Sequence, residues 1–284
     1  MIVITGGGGL VGRGLIHKLT NSGRRFVTLS SQANEPTDWL GYLSERRIEP
    51  TVLVHLAAAV PKPPMIPDTR SLAEKTLELD REAYAVGERF GCHMIYVSGC
   101  SLYSPQALQQ GAREDSQLRS LSAIQSPYLG AKLLGEKLFS STNRATIFRL
   151  STPIGDRLSK SSALGEFINN ARSNRPIRYF GSGLREQNYV DVLDIARAIE
   201  IAIAKRPLET INIASKESVT MKELVRLVSA VYPNVTVGIP RGLDPKDGEL
   251  YRIEIAKAMA VLCWEPEVPF HESLGRAGLD GDGS

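Results

Sequence analysis

Tyr128 and Lys132 stand four residues apart, and of the nine tyrosines only Tyr128 has a lysine at that spacing. On a helix the two side chains lie one turn apart on one face. A phenol titrates near pH ~10 and is a poor base at neutrality. An ammonium one turn away, together with the positive nicotinamide of a redox cofactor, favours the phenolate and brings the group toward the working range, so the pair could remove or return the proton of a carbinol. Upstream, Ser98 and Ser101 lie in Ser98-Gly99-Cys100-Ser101-Leu102-Tyr103-Ser104, a stretch whose hydroxyls could meet a substrate. The third stretch is Thr5-Gly6-Gly7-Gly8-Gly9-Leu10-Val11-Gly12, in which Gly6, Gly9 and Gly12 recur every three residues. Between a strand and a helix such a loop is a phosphate site: it turns tightly, brings bare backbone up to a pyrophosphate and aims helical N–H groups at the anion.

These groups need elements to position them. Met1-Ile2-Val3-Ile4 is a continuous apolar run, as expected of a strand buried on both faces of a parallel sheet. Leu15, Ile16 and Leu19 then recur at helical spacing until Asn21-Ser22-Gly23. Strands are expected over 26–29, 52–56, 93–97 and 145–150. Helices are expected over 39–47, over 71–90 and from Pro127 through Leu138. This alternation implies an α/β chain, a Rossmann-type doubly wound parallel sheet with a smaller, mixed α/β C-terminal substrate domain. Between the second and third strands there is space for one helix and no further strand. Ala57-Ala58-Ala59 closes the third strand with small side chains, so a flat cofactor could lie against that backbone. Pro61-Lys62-Pro63-Pro64 reads as a stiff loop, and 106–126 as a polar, irregular loop over the site.

Beyond residue 150 the pattern is more mixed. Helices are expected over 161–174, 192–205 and 254–261, with another opened by a Thr220–Glu223 capping box and running to 231. Strands are expected over 177–180, 210–213 and 235–239. The dinucleotide-binding domain is then 1–150, with 192–214 returning to it, the substrate-binding region is 151–275, and 276–284 is a frayed tail. At the end of the second strand of such folds an acidic residue holds the 2′-hydroxyl of NAD, whereas small polar residues with nearby arginines leave room for the 2′-phosphate of NADP. Ser30-Ser31 stand there, so NADP is favoured over NAD, with Arg13, Arg24 or Arg25 supplying the charge. The same serines also read as the start of a turn.

The 284 residues carry a net charge of +3 with mixed signs and no basic stripe, which disfavours nucleic acid as a partner. Cys92, Cys100 and Cys263 are too few and too scattered for a disulfide framework or a zinc site, so no metal is expected. With no signal-peptide pattern and no apolar run approaching the roughly 20 residues of a membrane span, a cytoplasmic setting is expected.

The chain resembles the extended short-chain dehydrogenase/reductases, in particular the NAD-dependent epimerase/dehydratase family that acts on nucleotide sugars. The likeness rests on the glycine loop, His55-Leu56-Ala57-Ala58, Ser98 to Tyr103, Ser126-Pro127-Tyr128-Leu129-Gly130-Ala131-Lys132 with Gly135-Glu136, and Arg149-Leu150 to Gly155. It continues through Tyr179 to Gly183, Tyr189-Val190 to Asp194-Ile195-Ala196, Asn212-Ile213-Ala214 and Leu262 to Pro266, and reaches about Leu274. It implies Tyr128 as acid/base with Lys132 as its partner. It implies a cofactor lying over Gly6, Gly9, Leu10, Val11 and Gly12, past Ser30 and Leu56 to Ala58, and against Tyr128 and Lys132. A homodimer through the helices of 70–90 and 128–141 is implied in the same way.

The departures from the family are equally specific. The catalytic Ser or Thr falls on Gly99, so Ser98 or Ser101 would have to replace it. The Asp-Glu pair of the dehydratases falls on Cys100 and Ser101, which argues against 4,6-dehydration. The asparagine near a sugar diphosphate falls on Thr152, and an Arg-Asp pair becomes Gln187-Asn188. Either Arg185 moves in beside Thr152 and Gln187 to hold the substrate, or the substrate carries no diphosphate. The expected activity is hydride transfer at a sugar carbinol, by an epimerase or a 4-keto reductase. Alternatives are a reductase or dehydrogenase of another secondary alcohol or ketone, and a dinucleotide-binding regulatory protein that has lost catalysis.

Overall fold

The computed structural model describes residues 1–30, 37–59, 69–156, 158, 162–240 and 242–277. Ser31, the 61–64 loop, the start of the 161–174 helix and the tail beyond 277 lie outside the described residues. The chain begins with β1 (Ile2–Thr5), α1 (Leu10–Asn21), β2 (Phe26–Leu29), α2 (Trp39–Glu45), β3 (Val52–His55), α3 (Thr69–Phe90) and β4 (His93–Gly99). It continues with α4 (Pro105–Gln110), α5 (Pro127–Phe139), β5 (Ala145–Leu150), β6 (Thr152–Ile154), α6 (Ala163–Arg172), β7 (Glu186–Gln187) and β8 (Tyr189–Asp191). Then come α7 (Val192–Lys205), β9 (Thr210–Ile213), β10 (Val219–Thr220), α8 (Met221–Val231) and α9 (Phe270–Ala277).

Six parallel strands form one sheet in the order β2-β1-β3-β4-β5-β9. Successive side chains point to opposite faces. Ile2, Ile4, Val52, Val54, Ile95 and Phe148 therefore pack with α1 and α7 residues such as Leu15 and Ile199, while Val3, Leu53, Met94, Tyr96 and Ile147 pack with α3 and α5 residues. Both faces are covered, so β1, β3 and β5 are buried along their whole length, which is why Ile2–Ile4 and Val52–Val54 read as unbroken apolar runs. The strand order reverses between β1 and β3, and ligands of open α/β sheets bind at such a switch point, outside the carboxyl ends of the strands. There the loop after β1 meets Leu56 to Ala58.

A third core of Ile154, Phe167, Ile168, Leu224, Val228 and Leu274 lies under the paired strands β6–β8 and β7–β10. Some expected elements differ in extent or kind. The strands at 177–180 and 235–239 reduce to one bridge, Ile177 with Val237; Val237 is 55% and Ile239 85% exposed, so β-formers alone found no surface to cover. The 106–126 stretch contains α4, opened by Ser104 Oγ accepting from Ala107 N–H (3.2 Å) and stopped at Gly111, whose φ is +90°. The 254–261 helix is present a residue or two later and ends as a π-helix over Ala258–Leu262, closed by left-handed Cys263. Arg276 and Ala277 close α9, so fraying does not begin at 276.

At the opposite end of the sheet, His93 of β4 is buried with Nε2 2.8 Å from Thr146 Oγ1. Burial first, and then the Arg206 charge, lower its titration from 6.5 to about 4. Between those values the unfolded chain binds the proton and the folded chain does not, so stability present above pH 6.5 is lost as pH falls toward 4. The loss from this group is at most about 3 kcal/mol. Melting temperature should therefore fall over that interval, and His93→Gln, which keeps a partner for Thr146, should flatten the fall.

Candidate active site

Gly6 has φ +71°, and a Cβ placed on it would lie 2.6 Å from Ala57 N and 2.7 Å from the Leu56 carbonyl carbon. A Cβ on Gly12 would lie 2.3 Å from Gly6 O. The two glycines thus let the turn press onto β3 and the helix press onto the turn. Gly9 opens α1 with no side-chain cap, and no acidic residue follows in the first turn. The N–H groups around Leu10 and Val11 and the positive end of the helix dipole are left for an anion, so the loop fits the pyrophosphate of a dinucleotide. Leu56 N–H donates to Thr5 O (3.2 Å), and Ala57 N–H to Thr5 Oγ1 (3.3 Å), which holds Leu56 to Ala58 beside the turn.

Ser30 is exposed, and its carbonyl accepts from the Trp39 indole at 3.1 Å. Thr5 pairs with Leu29, so Ser30 is level with the glycine loop; Arg24 and Arg25 precede Phe26, which pairs with Ile2 at the amino ends of the two strands. At 3.3 Å per residue they are displaced by roughly 13 Å or more from a ribose at Ser30, which corrects the expectation that either could hold a 2′-phosphate. Arg13 donates to Gly8 O (2.7 Å) and Asp156 O (3.2 Å).

Tyr128 and Lys132 lie in the first turns of α5, which Ser126 Oγ opens by accepting from Leu129 N–H at 3.4 Å. Lys132 is buried, with Nζ 4.1 Å from the centroid of the Tyr96 ring. Burial lowers its titration from the ordinary lysine value, against the raising charges of Asp80 and Glu136. Tyr128 is half-buried, and burial followed by the Asp80 charge pushes its phenol up to about 12. Desolvation dominates in the chain alone, where the positive nicotinamide that the expectation paired with Lys132 does not act. The chain by itself presents a protonated phenol.

The far half of α5 is bolted down. Glu136 accepts from Arg149 Nε (3.0 Å) and Nη2 (2.7 Å), Arg149 Nη1 donates to Tyr103 Oη (3.0 Å), and Tyr103 donates to Asn212 Oδ1 (2.7 Å). Four residues of the resemblance are therefore structural: together they tie α5 to β5, to the turn after β4 and to β9. Gly135 is required because its Cβ would lie 2.1 Å from Tyr96 Oη.

The two serines part company. Ser98 is 6% exposed and its Oγ has no hydrogen-bond partner among the described residues. Ser101 is exposed, and its Oγ lies 3.4 Å from where a Gly99 Cβ would stand, so it borders the space that a side chain at 99 would fill. Cys100 is buried with Sγ donating to Arg149 O at 3.2 Å, and burial pushes its thiol far up, so it offers no base.

The three residues expected at the substrate sit on neighbouring segments, since Thr152 N–H donates to the carbonyl of Asn188, the residue after Gln187 (3.0 Å). Thr152 is half-buried at the start of β6, and Gln187 pairs with Val219 across β7 and β10. Arg185 is engaged by Asp244, with Nε 3.3 Å from Oδ2, and by Met221 Sδ. Asn188 spends its amide on Ser215 O (2.9 Å) and Glu217 O (3.1 Å), and its Oδ1 accepts from Ser215 N–H. The Arg185 expected to move in is therefore held elsewhere. Two nearby groups were not anticipated. Arg119 donates from Nε to Ser101 O at 3.1 Å, and Asp80 lies buried between β3, β4 and α5. Neither belongs to a local motif, so periodicity and spacing had nothing to mark them.

The model of the NAD dependent epimerase/dehydratase family matches residues 2–214. A putative UDP-glucose 4-epimerase of Methanocaldococcus jannaschii is 28% identical over 169 residues, which is 53% of this chain and 52%, about half, of that relative's own length. The dTDP-4-dehydro-6-deoxyglucose reductase of Escherichia coli is 23% identical over 97% of this chain and 95% of its own. The structure of Thermus thermophilus UDP-glucose 4-epimerase complexed with NAD superposes with a TM-score of 0.81 at 20% identity, covering 98% of this chain and 97% of that one. Among the described residues no helix is long and apolar enough to cross a membrane.

Proposed function

The chain belongs to the NAD dependent epimerase/dehydratase family, and from that premise we propose that it is an enzyme moving hydride at a carbinol of a nucleotide-linked sugar, as an epimerase or a 4-keto reductase. The observation that carries this reading is the placement of Tyr128 and Lys132 on α5 beside the carboxyl end of β4, in the same sheet whose β1 runs into the glycine cradle. NAD, when bound, supplies and accepts the hydride. Gly6, Gly9 and Gly12 bring backbone to its pyrophosphate, and the Lys132 ammonium holds ribose hydroxyls and favours negative charge on Tyr128. Tyr128 gives its proton to the substrate oxygen in reduction and takes it in oxidation. Ser98 is turned into the interior, and Ser101 places its hydroxyl beside Gly99 to hold that same oxygen.

Ser101→Ala is accordingly expected to slow turnover roughly a hundredfold, the usual loss on removing one donor from a reacting oxygen. Ser98→Ala should stay near wild type, and adding Gly99→Ser to Ser101→Ala should restore most of the rate, since a side chain at 99 makes only ordinary contacts. Equal losses from the two single variants would remove the assignment. We propose NAD rather than NADP as the cofactor, a reading supported by the distance of Arg24 and Arg25 from Ser30, and NADH is then expected to bind more tightly than NADPH. Pairing of two copies through α3 and α5 belongs to the same proposal.

The reading is tested by melting the protein with UDP-, GDP- and dTDP-sugars, at least one of which should raise the melting temperature. NAD retained through purification and identified by mass spectrometry would mark an epimerase. A second reading, a secondary alcohol or ketone without a nucleotide, is favoured by the commitment of Arg185 and Asn188 to other partners. Silence toward every nucleotide sugar would select it.

A further inference from the structure

Asp80, fully buried in α3, is not needed for any step above. Its oxygens accept from two strands, Oδ1 from His55 Nε2 of β3 (2.9 Å) and Oδ2 from Tyr96 O–H of β4 (3.0 Å). His55 Nδ1 lies 2.7 Å from Thr5 Oγ1, which in turn accepts from Ala57 N–H at 3.3 Å. One proton order gives every group in this line a donor or acceptor role. Ala57 N–H donates to Thr5, Thr5 O–H to His55 Nδ1, and His55 Nε2–H to a charged Asp80, with His55 neutral. Burial works in the same direction by lowering the imidazole's titration. The line begins beside Gly6 and ends at Tyr96, whose ring carries the Lys132 ammonium.

The charged and titratable groups around Lys132 are Tyr96 from β4, Asp80 from α3, His55 from β3, and Tyr128 and Glu136 from α5 itself. Glu136 already faces the guanidinium of Arg149 from β5 in a two-pronged contact. Asp80 has no guanidinium or ammonium in direct contact among the described residues, and Lys132 has no carboxylate. Each is the other's missing opposite charge, one aromatic ring apart.

We propose that Asp80 is a positioning residue for the acid/base pair: its negative charge keeps Lys132 an ammonium in its buried place, and its bonds to His55 and Tyr96 tie that ammonium to the start of the glycine cradle. The functional meaning rests on the hydride-transfer reading, but the charge relation is measured without cofactor or substrate. If the dinucleotide reading fails, the protein will not bind NAD, and the lysine titration stands regardless.

The experiment titrates Lys132 by NMR in protein with ¹³C-labelled lysine, its signal assigned by loss in Lys132→Arg. Asp80→Asn is isosteric. Its carboxamide oxygen can accept from His55 Nε2–H and its N–H can donate to the Tyr96 hydroxyl oxygen, so it deletes charge and keeps both contacts. Tyr96→Phe does the reverse, keeping the charge and the ring while losing one bond. The Lys132 midpoint is expected to fall by at least about one pH unit in Asp80→Asn, a tenfold change in its proton affinity, and to stay near wild type in Tyr96→Phe. An unchanged midpoint in Asp80→Asn, or equal shifts in both variants, would overturn the proposal. If Asp80→Asn does not fold, Asp80→Ser, which still accepts from His55, carries the same comparison.

Discussion

Tyr128→Phe is expected to lower turnover by roughly a thousandfold, within the range typical of a positioned acid/base, while NAD binds with near wild-type affinity. The substitution removes only the hydroxyl and leaves the half-buried ring in place. That hydroxyl titrates at about 12 in the chain alone, raised by burial and by Asp80. Carbonyl reduction uses the protonated phenol, so its rate should fall as pH rises through the phenol's midpoint in the complex. Alcohol oxidation uses the phenolate, so its rate should climb over the same interval. Steady-state rates with a nucleotide sugar that raises the melting temperature, together with calorimetry of NAD binding, give both halves of the result. Survival of more than a tenth of the wild-type turnover would remove Tyr128 from the acid/base role.

Gly6→Ala should cost at least a hundredfold in NAD affinity and lower the melting temperature of the free protein as well. At φ +71° an alanine Cβ is strained, by about 1–2 kcal/mol. The atoms it would strike are backbone, Ala57 N at 2.6 Å and Ala57 Cα at 2.8 Å, so β1 and β3 must part at the switch point. Gly8→Ala is the control, because nothing lies within 4 Å of its Cβ and the melting temperature should hardly move. Were both variants to bind NAD like wild type, the dinucleotide would have to lie elsewhere than over this turn. Glycine-rich loops that merely turn would show the stability loss at Gly6 without the loss of affinity.

Local sequence carried what depends on neighbours along the chain. Strands buried on both faces announce themselves as apolar runs, and β1, β3, β4 and β5 stand where those runs are. The Tyr128–Lys132 interval sets one face of α5, and the glycine interval sets the cradle, because both obey geometries only a few residues long. Short elements were harder: α4 could be seen only in its Ser104-Pro105 start and Gly111 stop, and the apolar 235–239 stretch looked like a strand although no partner surface covers Ile239.

What tertiary structure alone decided are the charges. Arg185 reads as a free clamp until the fold brings Asp244 against it from 59 residues away. Arg24 and Arg25 look adjacent to Ser30 until the register of β2 on β1 sets them at the opposite end of the strand. Asp80 is one more helical carboxylate until α3 packs on β3, β4 and α5 and closes it off from water. Types and spacings therefore determined which groups could do chemistry, while the fold determined which stay charged and free to do it, since desolvation and ion pairing depend on distances across the chain rather than along it.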